Sequence, residues 1–273
     1  MIDAHCHFWR LNHNDCTWPP PALAAIHRDF LPDGWQGEAK AVGIDAAIAV
    51  QSQPSDRDTE WLLQLARDDM RIAGVVGWVD LVARNAPDRI AAVARNPKLR
   101  GLRPMLQDLS EDWILQPAVA PAIEVMVAHG LCFDALVRPR HLPHLLRFAE
   151  RHPALRIVID HAAKPDIASR VLDPWRARIA ALAELPNVTC KLSGLVTEAS
   201  EAWRPDDLRP YIEHLLTTFG PDRLLWGSDW PVVNLAAGYS SWFGLVDDLT
   251  HLQGGARAGL FGGNAVGVYG IRG

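Results

Sequence analysis

Short apolar runs alternate along this chain with longer stretches in which apolar residues recur every three or four positions. The first pattern suits buried strands and the second suits one-sided helices. The opening seven residues read as a strand. Ala46–Val50, Ile72–Val76, Leu99–Arg103, Leu131–Leu136, Arg156–Ile159, Val188–Leu192 and Leu224–Trp226 follow, making eight candidates bounded by Gly, Pro, Asn and Asp. Helices are predicted from a Ser55 cap through Asp68, over Ala86–Arg95 after Asn85, and over Pro117–His129 before Gly130. Further helices are predicted over His141–Arg151, Pro174–Leu185, Asp206–Phe219 and Trp242–Leu252, with a short closing helix over Asn264–Tyr269. Asn12–Asp33 reads as a long loop, stiffened by Thr17-Trp18-Pro19-Pro20-Pro21, that could cover one end of the fold.

Strand followed by helix, repeated, predicts an α/β chain folded as a single (β/α)8 TIM barrel over residues 1–273. Its active site would lie at the C-terminal ends of the strands. A doubly wound open sheet is the rival, but no Gly-x-Gly-x-x-Gly follows the first strand, which disfavours a dinucleotide-binding version.

Composition narrows the class. With 49% hydrophobic residues the chain can bury a sizeable core, and a formal net charge of −5 without a basic block argues against nucleic acid. Cys6, Cys16, Cys132 and Cys190 show no metal-type pairing and read as thiols in a reducing compartment. No signal peptide and no membrane-length apolar stretch is evident, so a cytoplasmic protein is expected, and a homodimer is compatible with the surface. The 11 Trp stand out, several of them after strands or in loops, where rings commonly line a pocket and can meet carbohydrate C–H faces.

The strand ends concentrate ionisable groups. They carry His5 and His7, Gln51, Trp78 with Asp80, Arg103, Asp160-His161 with Lys164, Lys191 with Ser193, and Asp229. A period of two puts His5 and His7 on one face, with Ala4 and Cys6 on the other, beneath a helix. The same parity groups Ile157, Ile159 and His161, then Thr189, Lys191 and Ser193, then Leu225, Gly227 and Asp229, so His161, Lys191 and Asp229 are expected to face the barrel axis. Two imidazoles at a strand end can hold a divalent metal or polarise a carbonyl without one. Each group also has a plainer role, as a cap, a core histidine or an ion pair. Convergence from separate strands is harder to explain that way.

Four blocks carry a resemblance: Ile2-Asp3-Ala4-His5-Cys6-His7-Phe8-Trp9, Ile159-Asp160-His161-Ala162-Ala163-Lys164-Pro165, Cys190-Lys191-Leu192-Ser193-Gly194-Leu195 and Trp226-Gly227-Ser228-Asp229-Trp230-Pro231. Together, and with Phe261-Gly262-Gly263-Asn264-Ala265, they resemble the amidohydrolase superfamily, in its sugar-lactonase branch of L-fuconolactonases and L-rhamnonolactonases. The resemblance implies a barrel that opens a lactone ring to a hydroxy acid, with Asp229 matching the family's last-strand aspartate. Two-metal members carry a strand-four lysine and a strand-five histidine. Here strand four offers Arg103, and strand five, Cys132-Phe133-Asp134-Ala135, has no histidine. One divalent ion, zinc the first candidate, or no metal at all is what remains.

Lactone opening needs an activated water and a stabilised oxyanion. On that reading Asp229 is the general base, His5 and His7 bind a metal with Asp229 or hydrogen-bond the substrate, and His161 orients water or carbonyl. Lys191 would polarise the carbonyl and Arg103 would grip the developing carboxylate. Trp9, Trp35, Trp78 and Trp230 would supply apolar walls, and Gln51 and Lys164 would serve the hydroxyls of a small-molecule sugar lactone. Rivals are a pyrone-dicarboxylate lactonase or a metal-dependent decarboxylase on the same barrel. Arg103 is the one clear strand-end arginine, although Arg138 and Arg140 follow strand five. A non-catalytic carbohydrate-binding barrel would not need Asp229 together with His5, His7 and His161.

Overall fold

The computed structural model describes residues 1–271, so Arg272 and Gly273, the last two of the expected domain, lie outside the described residues. Eight strands pair in sequence order, every pair parallel: β1 (Ile2–Cys6), β2 (Ala46–Val50), β3 (Ile72–Gly77), β4 (Leu99–Leu102), β5 (Cys132–Ala135), β6 (Ile157–Ile159), β7 (Val188–Leu192) and β8 (Leu224–Trp226). β8 returns to β1 just past its own end. Cys6 bridges to Trp230, the His7 amide donates to Trp230 O at 2.7 Å, and the Asp229 amide donates to His5 O at 2.8 Å. A sequential order closed in this way is the (β/α)8 barrel, not the doubly wound sheet, whose strand order reverses.

The connecting helices are α1 (Pro32–Ala41), α2 (Asp56–Asp68), α3 (Ala86–Val93), α4 (Ala120–Ala128), α5 (Leu142–Arg151), α6 (Trp175–Ala183), α7 (Pro205–Phe219), α8 (Tyr239–Thr250), α9 (Gly254–Ala258) and α10 (Asn264–Val268). Ser55 caps α2, its hydroxyl accepting from the Arg57 amide at 3.1 Å. α5 turns Leu142, Leu145, Phe148 and Ala149 inward at the spacing that predicted it. The predicted helix from Pro117 begins instead as a 3-10 turn, Pro117–Val119, before α4. α1 was not expected from the sequence. Gly34 and Gly37 dilute its apolar stripe, and only Pro32, Trp35 and Ala39 are buried on it.

Strand side chains divide into two apolar layers. Ala4, Ile48, Val50, Val76, Cys132, Val158 and Leu225 fill the barrel interior, closed from below by Ala265 and Tyr269 of the C-terminal segment. Cys6, Ala47, Ala49, Val75, Phe133, Ile157, Ile159 and Leu192 face outward against the helices. Burying each large aliphatic side chain contributes about 1.5–3 kcal/mol.

This partition corrects the expected parity twice. On β6, Val158 points inward and Ile157 and Ile159 outward, so Asp160 takes the next inward position. On β1, Ala4 packs inside with the histidines while Cys6 packs outside, because the register against β2 slips between Asp3 and Cys6. Among the described residues no helix is long and apolar enough to cross a membrane.

Candidate active site

The β1 irregularity is held by Asp3, a fully buried carboxylate. It accepts from the His5 amide at 3.1 Å, the Ser228 amide at 2.9 Å, Ser228 Oγ at 2.6 Å, Trp35 Nε1 at 3.1 Å and Tyr239 OH at 3.0 Å. Burial still pushes its pKa up. The bonds tie the first strand end to the last and bring His5 and His7 beside Asp229. Gly227 permits the approach: a Cβ there would sit 2.6 Å from His5 Cβ.

Three atoms converge. His5 Nε2 and His7 Nε2 are 3.2 Å apart, and Asp229 Oδ1 lies 3.7 Å from the first and 3.2 Å from the second. His7 Nδ1 meets Val50 O at 2.8 Å; a carbonyl only accepts, so Nδ1 carries the proton of the neutral ring and Nε2 keeps its lone pair. Burial drives His5 well below the ordinary imidazole value. Burial alone would raise Asp229, but His161, His7 and His5 together hold it below the ordinary carboxylate range. An ionised carboxylate facing two close imidazole nitrogens calls for a cation or a proton between them. A tetrahedral ion with bonds of roughly 2.0–2.1 Å sets its ligand atoms about 3.3–3.5 Å apart, close to the observed triangle. The residues therefore fit one divalent metal.

His161 arrives by a different route. Residues 161–164, none of them glycine, all have positive φ, at 51°, 49°, 62° and 51°. Such a run costs about 1 kcal/mol or more per residue. It swings the imidazole past the end of β6 to 4.5 Å from the His5 ring, centroid to centroid. Its Nδ1 pairs with Ser193 Oγ at 2.9 Å, and burial lowers its pKa to about 4. His5, His161 and Asp229 offer ligand atoms within 4.8 Å of one another, a wider set than the triangle containing His7. Gly194, at φ +63°, makes room, since a Cβ there would lie 2.5 Å from His161 Nδ1.

Above the triangle opens a cavity of about 770 Å³ lined by His7, His161 and Asp229 on its floor. Of the residues expected to meet substrate, Trp78, Arg103 and Lys164 line it. Gln51, Trp9, Trp35 and Trp230 do not. Gln51 spends its amide on Arg103 O at 2.9 Å, Trp9 donates to Arg28 O at 2.8 Å, Trp35 donates to Asp3, and Trp230 packs edge-on to Phe8 and Phe30. Lys191 is also off the cavity: fully buried, it lies 2.6 Å from Asp134 Oδ2 and 2.9 Å from Asp160 Oδ1, so it does not polarise a bound carbonyl. Arg103 is pinned by Gln51 O and sits 3.5 Å from Asp160 Oδ2. Arg138 and Arg140 are absent from the described lining.

The walls come largely from loops. The Asn12–Asp33 segment is pinched at its base by the Trp9–Phe30 bridge and brings Thr17 and Trp18 to the cavity. Gln53 holds it there, donating to Trp18 O at 2.8 Å and accepting from the Thr17 amide at 3.2 Å. Met105 and Trp113, after β4, complete the far side. No role is expected from the sequence for Asp3, Asp134 or Asp160, nor for Trp113 as a substrate-facing residue, whereas Trp18 is among the loop rings expected to line a pocket. Inward carboxylates flanking apolar positions on strands five and six were the available signal for Asp134 and Asp160; nothing local marked Trp113.

Comparison with known proteins bears on this geometry. An amidohydrolase family model matches residues 2–271. An L-fucono-1,5-lactonase of Burkholderia ambifaria is 51% identical, the match covering 99% of this chain and 95% of the relative. An L-fucono-1,5-lactonase of Burkholderia multivorans is 40% identical over 99% of this chain and 96% of its own. A crystal structure of an amidohydrolase from Burkholderia multivorans with bound zinc superposes with a TM-score of 0.93 at 40% identity, covering 99% of both chains.

Proposed function

The chain belongs to the amidohydrolase family, and from that premise we infer that it is a lactonase for L-fucono-1,5-lactone or a close sugar lactone, working with one zinc ion. The observation that carries this reading is the 3.2, 3.2 and 3.7 Å triangle of His5, His7 and Asp229 at the floor of a cavity large enough for a sugar ring.

His5, His7 and Asp229 would hold the ion, a nitrogen and oxygen donor set that suits zinc. Bound there, a divalent ion supplies Lewis acidity to the lactone carbonyl and lowers the pKa of water. Asp229 takes the proton of the attacking water on Oδ2, the oxygen that neither imidazole engages. As the ring C–O bond breaks, that proton passes to the departing ring oxygen, which becomes the free hydroxyl. With Ser193 Oγ–H as donor in its 2.9 Å pair with His161 Nδ1, the His161 ring would carry its proton on Nε2, where it would face the cavity and donate to the carbonyl oxygen as it gathers charge. Trp18, Trp78 and Trp113 bound the ring, and Lys164 reaches its hydroxyls or the new carboxylate. A dicarboxylate substrate is disfavoured, since Arg103 and Lys164 are the cations of the described lining and Arg103 is already engaged.

A panel of aldonolactones read by proton release tests the reading. Fastest turnover of L-fucono-1,5-lactone is expected. Binding without release would select a carbohydrate-binding barrel, and release from a pyrone dicarboxylate alone would move the substrate class.

A further inference from the structure

No helix or strand lies between Trp9 and Phe30, yet this stretch carries Thr17 and Trp18 to the cavity. A loop of that length without regular structure is either mobile or held by specific contacts. Three sets of contacts hold this one. At its base Trp9 and Phe30 exchange backbone bonds of 3.0 Å, and the Trp9 ring meets the Trp18 ring edge-on at 5.1 Å. On the outside Asp15 accepts from Ser55 Oγ at 2.9 Å and from Arg57 Nη1 at 3.1 Å. The Arg57 and Asp15 side chains are 72% and 55% exposed, so solvent screening leaves that ion pair little strength. On the inside stands Gln53, 1% exposed.

The Gln53 amide fits its place in one orientation. Trp18 O can only accept and the Thr17 amide can only donate, so Nε2 faces the first at 2.8 Å and Oε1 the second at 3.2 Å. Nε2 also lies 3.5 Å from Cys16 Sγ and from Ser52 Oγ. The Gln53 backbone is fixed in turn, its amide donating to buried Asp58 at 3.3 Å and its carbonyl accepting from the Ser55 amide at 2.8 Å. Gln53 borders the cavity, but both of its polar side-chain atoms are committed to the loop. A side chain that failed to pair there would leave a buried carbonyl or amide unsatisfied, which costs more than the bond itself contributes.

We propose that Gln53 is a positioning residue for substrate binding: it seats Trp18 as a wall against the sugar ring, and so governs KM without entering the chemistry. The inference rests on the lactonase reading above. A ring in such a wall binds substrate and transition state alike, so its displacement raises KM and spares kcat. Gln51, two residues earlier, donates to Arg103 O at 2.9 Å and to Met105 Sδ at 3.3 Å, tying the opposite wall to the same strand end.

The test is a double-mutant cycle on the full chain supplied with zinc: wild type, Gln53→Glu, Trp18→Ala and the pair together, with Gln53→Ala beside them and circular dichroism confirming the fold. Q53E keeps the shape and the acceptor for Thr17 but turns an acceptor toward Trp18 O. KM for L-fucono-1,5-lactone should rise about tenfold in Q53E and in W18A, with kcat within about twofold of wild type. The double variant should be no worse than W18A, because Gln53 acts through the ring that W18A removes. Losses that multiply would mean that Gln53 meets the substrate itself, and they overturn the proposal. So do an unchanged KM in folded Q53E and Q53A, and a fall in kcat at unchanged KM. Amide hydrogen exchange gives a readout independent of turnover. Residues 10–29 should exchange at least about tenfold faster in Q53A; exchange as in wild type overturns the clasp. Should neither Gln53 variant fold, a wild-type Thr17 amide without protection overturns it as well. A wild type that opens no sugar lactone overturns the lactonase reading and the effect on KM, while exchange still decides whether Gln53 holds the loop.

Discussion

The floor and the walls of the cavity are built on different principles. The floor atoms of His5, His7, His161 and Asp229 sit on strand ends, are at most 4% exposed, and lie within short contacts of one another. The walls are side chains such as Trp18, Trp78, Trp113 and Lys164, partly exposed and carried by the loops that follow the strands. A floor bound into a barrel cannot shift without disturbing several strands, whereas a loop can be exchanged at little cost to the fold. The contrast teaches where reaction type and substrate choice would reside on the proposed mechanism: chemistry on the floor, selection on the walls.

The sharpest way to break that division is Asp229→Asn. It keeps the shape and removes the proposed base, and kcat is expected to fall by about 10³-fold or more. Steady-state assay near wild-type rates would remove Asp229 from the proposed mechanism. Next in size is metal removal. Chelated protein should lose at least about a hundredfold in activity and recover it with zinc. Full activity in protein shown by elemental analysis to be metal-free would leave His5 and His7 hydrogen-bonding the substrate directly.

A third test concerns how a wall is anchored. Asp58, buried at the start of α2, accepts from the Ser52 and Gln53 amides at 3.1 and 3.3 Å. Burial pushes its pKa up from 3.8 to about 6 despite those bonds. A folded value above the unfolded one means that the folded state holds the proton more tightly. This group's contribution to stability is therefore present below pH 3.8 and lost as pH rises through 6. The loss should reach about 3 kcal/mol at most. Urea unfolding of wild type and Asp58→Asn from pH 4 to 7 should show their difference changing across this window; parallel curves would refute it. The smallest effect belongs to the wall proper. Trp113→Ala should raise KM about tenfold with kcat little changed, the loss of one ring face. A large fall in kcat at unchanged KM would place Trp113 in the chemistry and blur the division.

The meeting of the floor's strand ends at one rim was legible in the sequence. His5, His7, His161 and Asp229 were legible because strand ends are local features, and a closed parallel barrel gathers all of its strand ends into one ring. The order of strands and the spacing of helices such as α5 were legible for the same reason, since a period of two or of 3.6 is written in neighbouring residues. The direction of each side chain was legible only where alternation held. It failed on β1, where Asp3, bonded to Ser228 across 225 residues, supports an irregular turn of the strand. It failed again on β6, where four left-handed residues, not strand parity, aim His161. Lys191 had the expected inward direction but not the expected partner, because Asp134 and Asp160 close around it from separate strands. The tryptophans divided likewise. Trp78 reached the cavity from a strand end, while Trp35 was claimed by a helix whose glycines hid it and Trp113 was delivered by a loop with no local signature. Periodic backbone preferences act between neighbours and so survive in the sequence. Irregular strand turns, ion-pair partners and loop placement are set by contacts between residues far apart in the chain, and the folded barrel alone decides them.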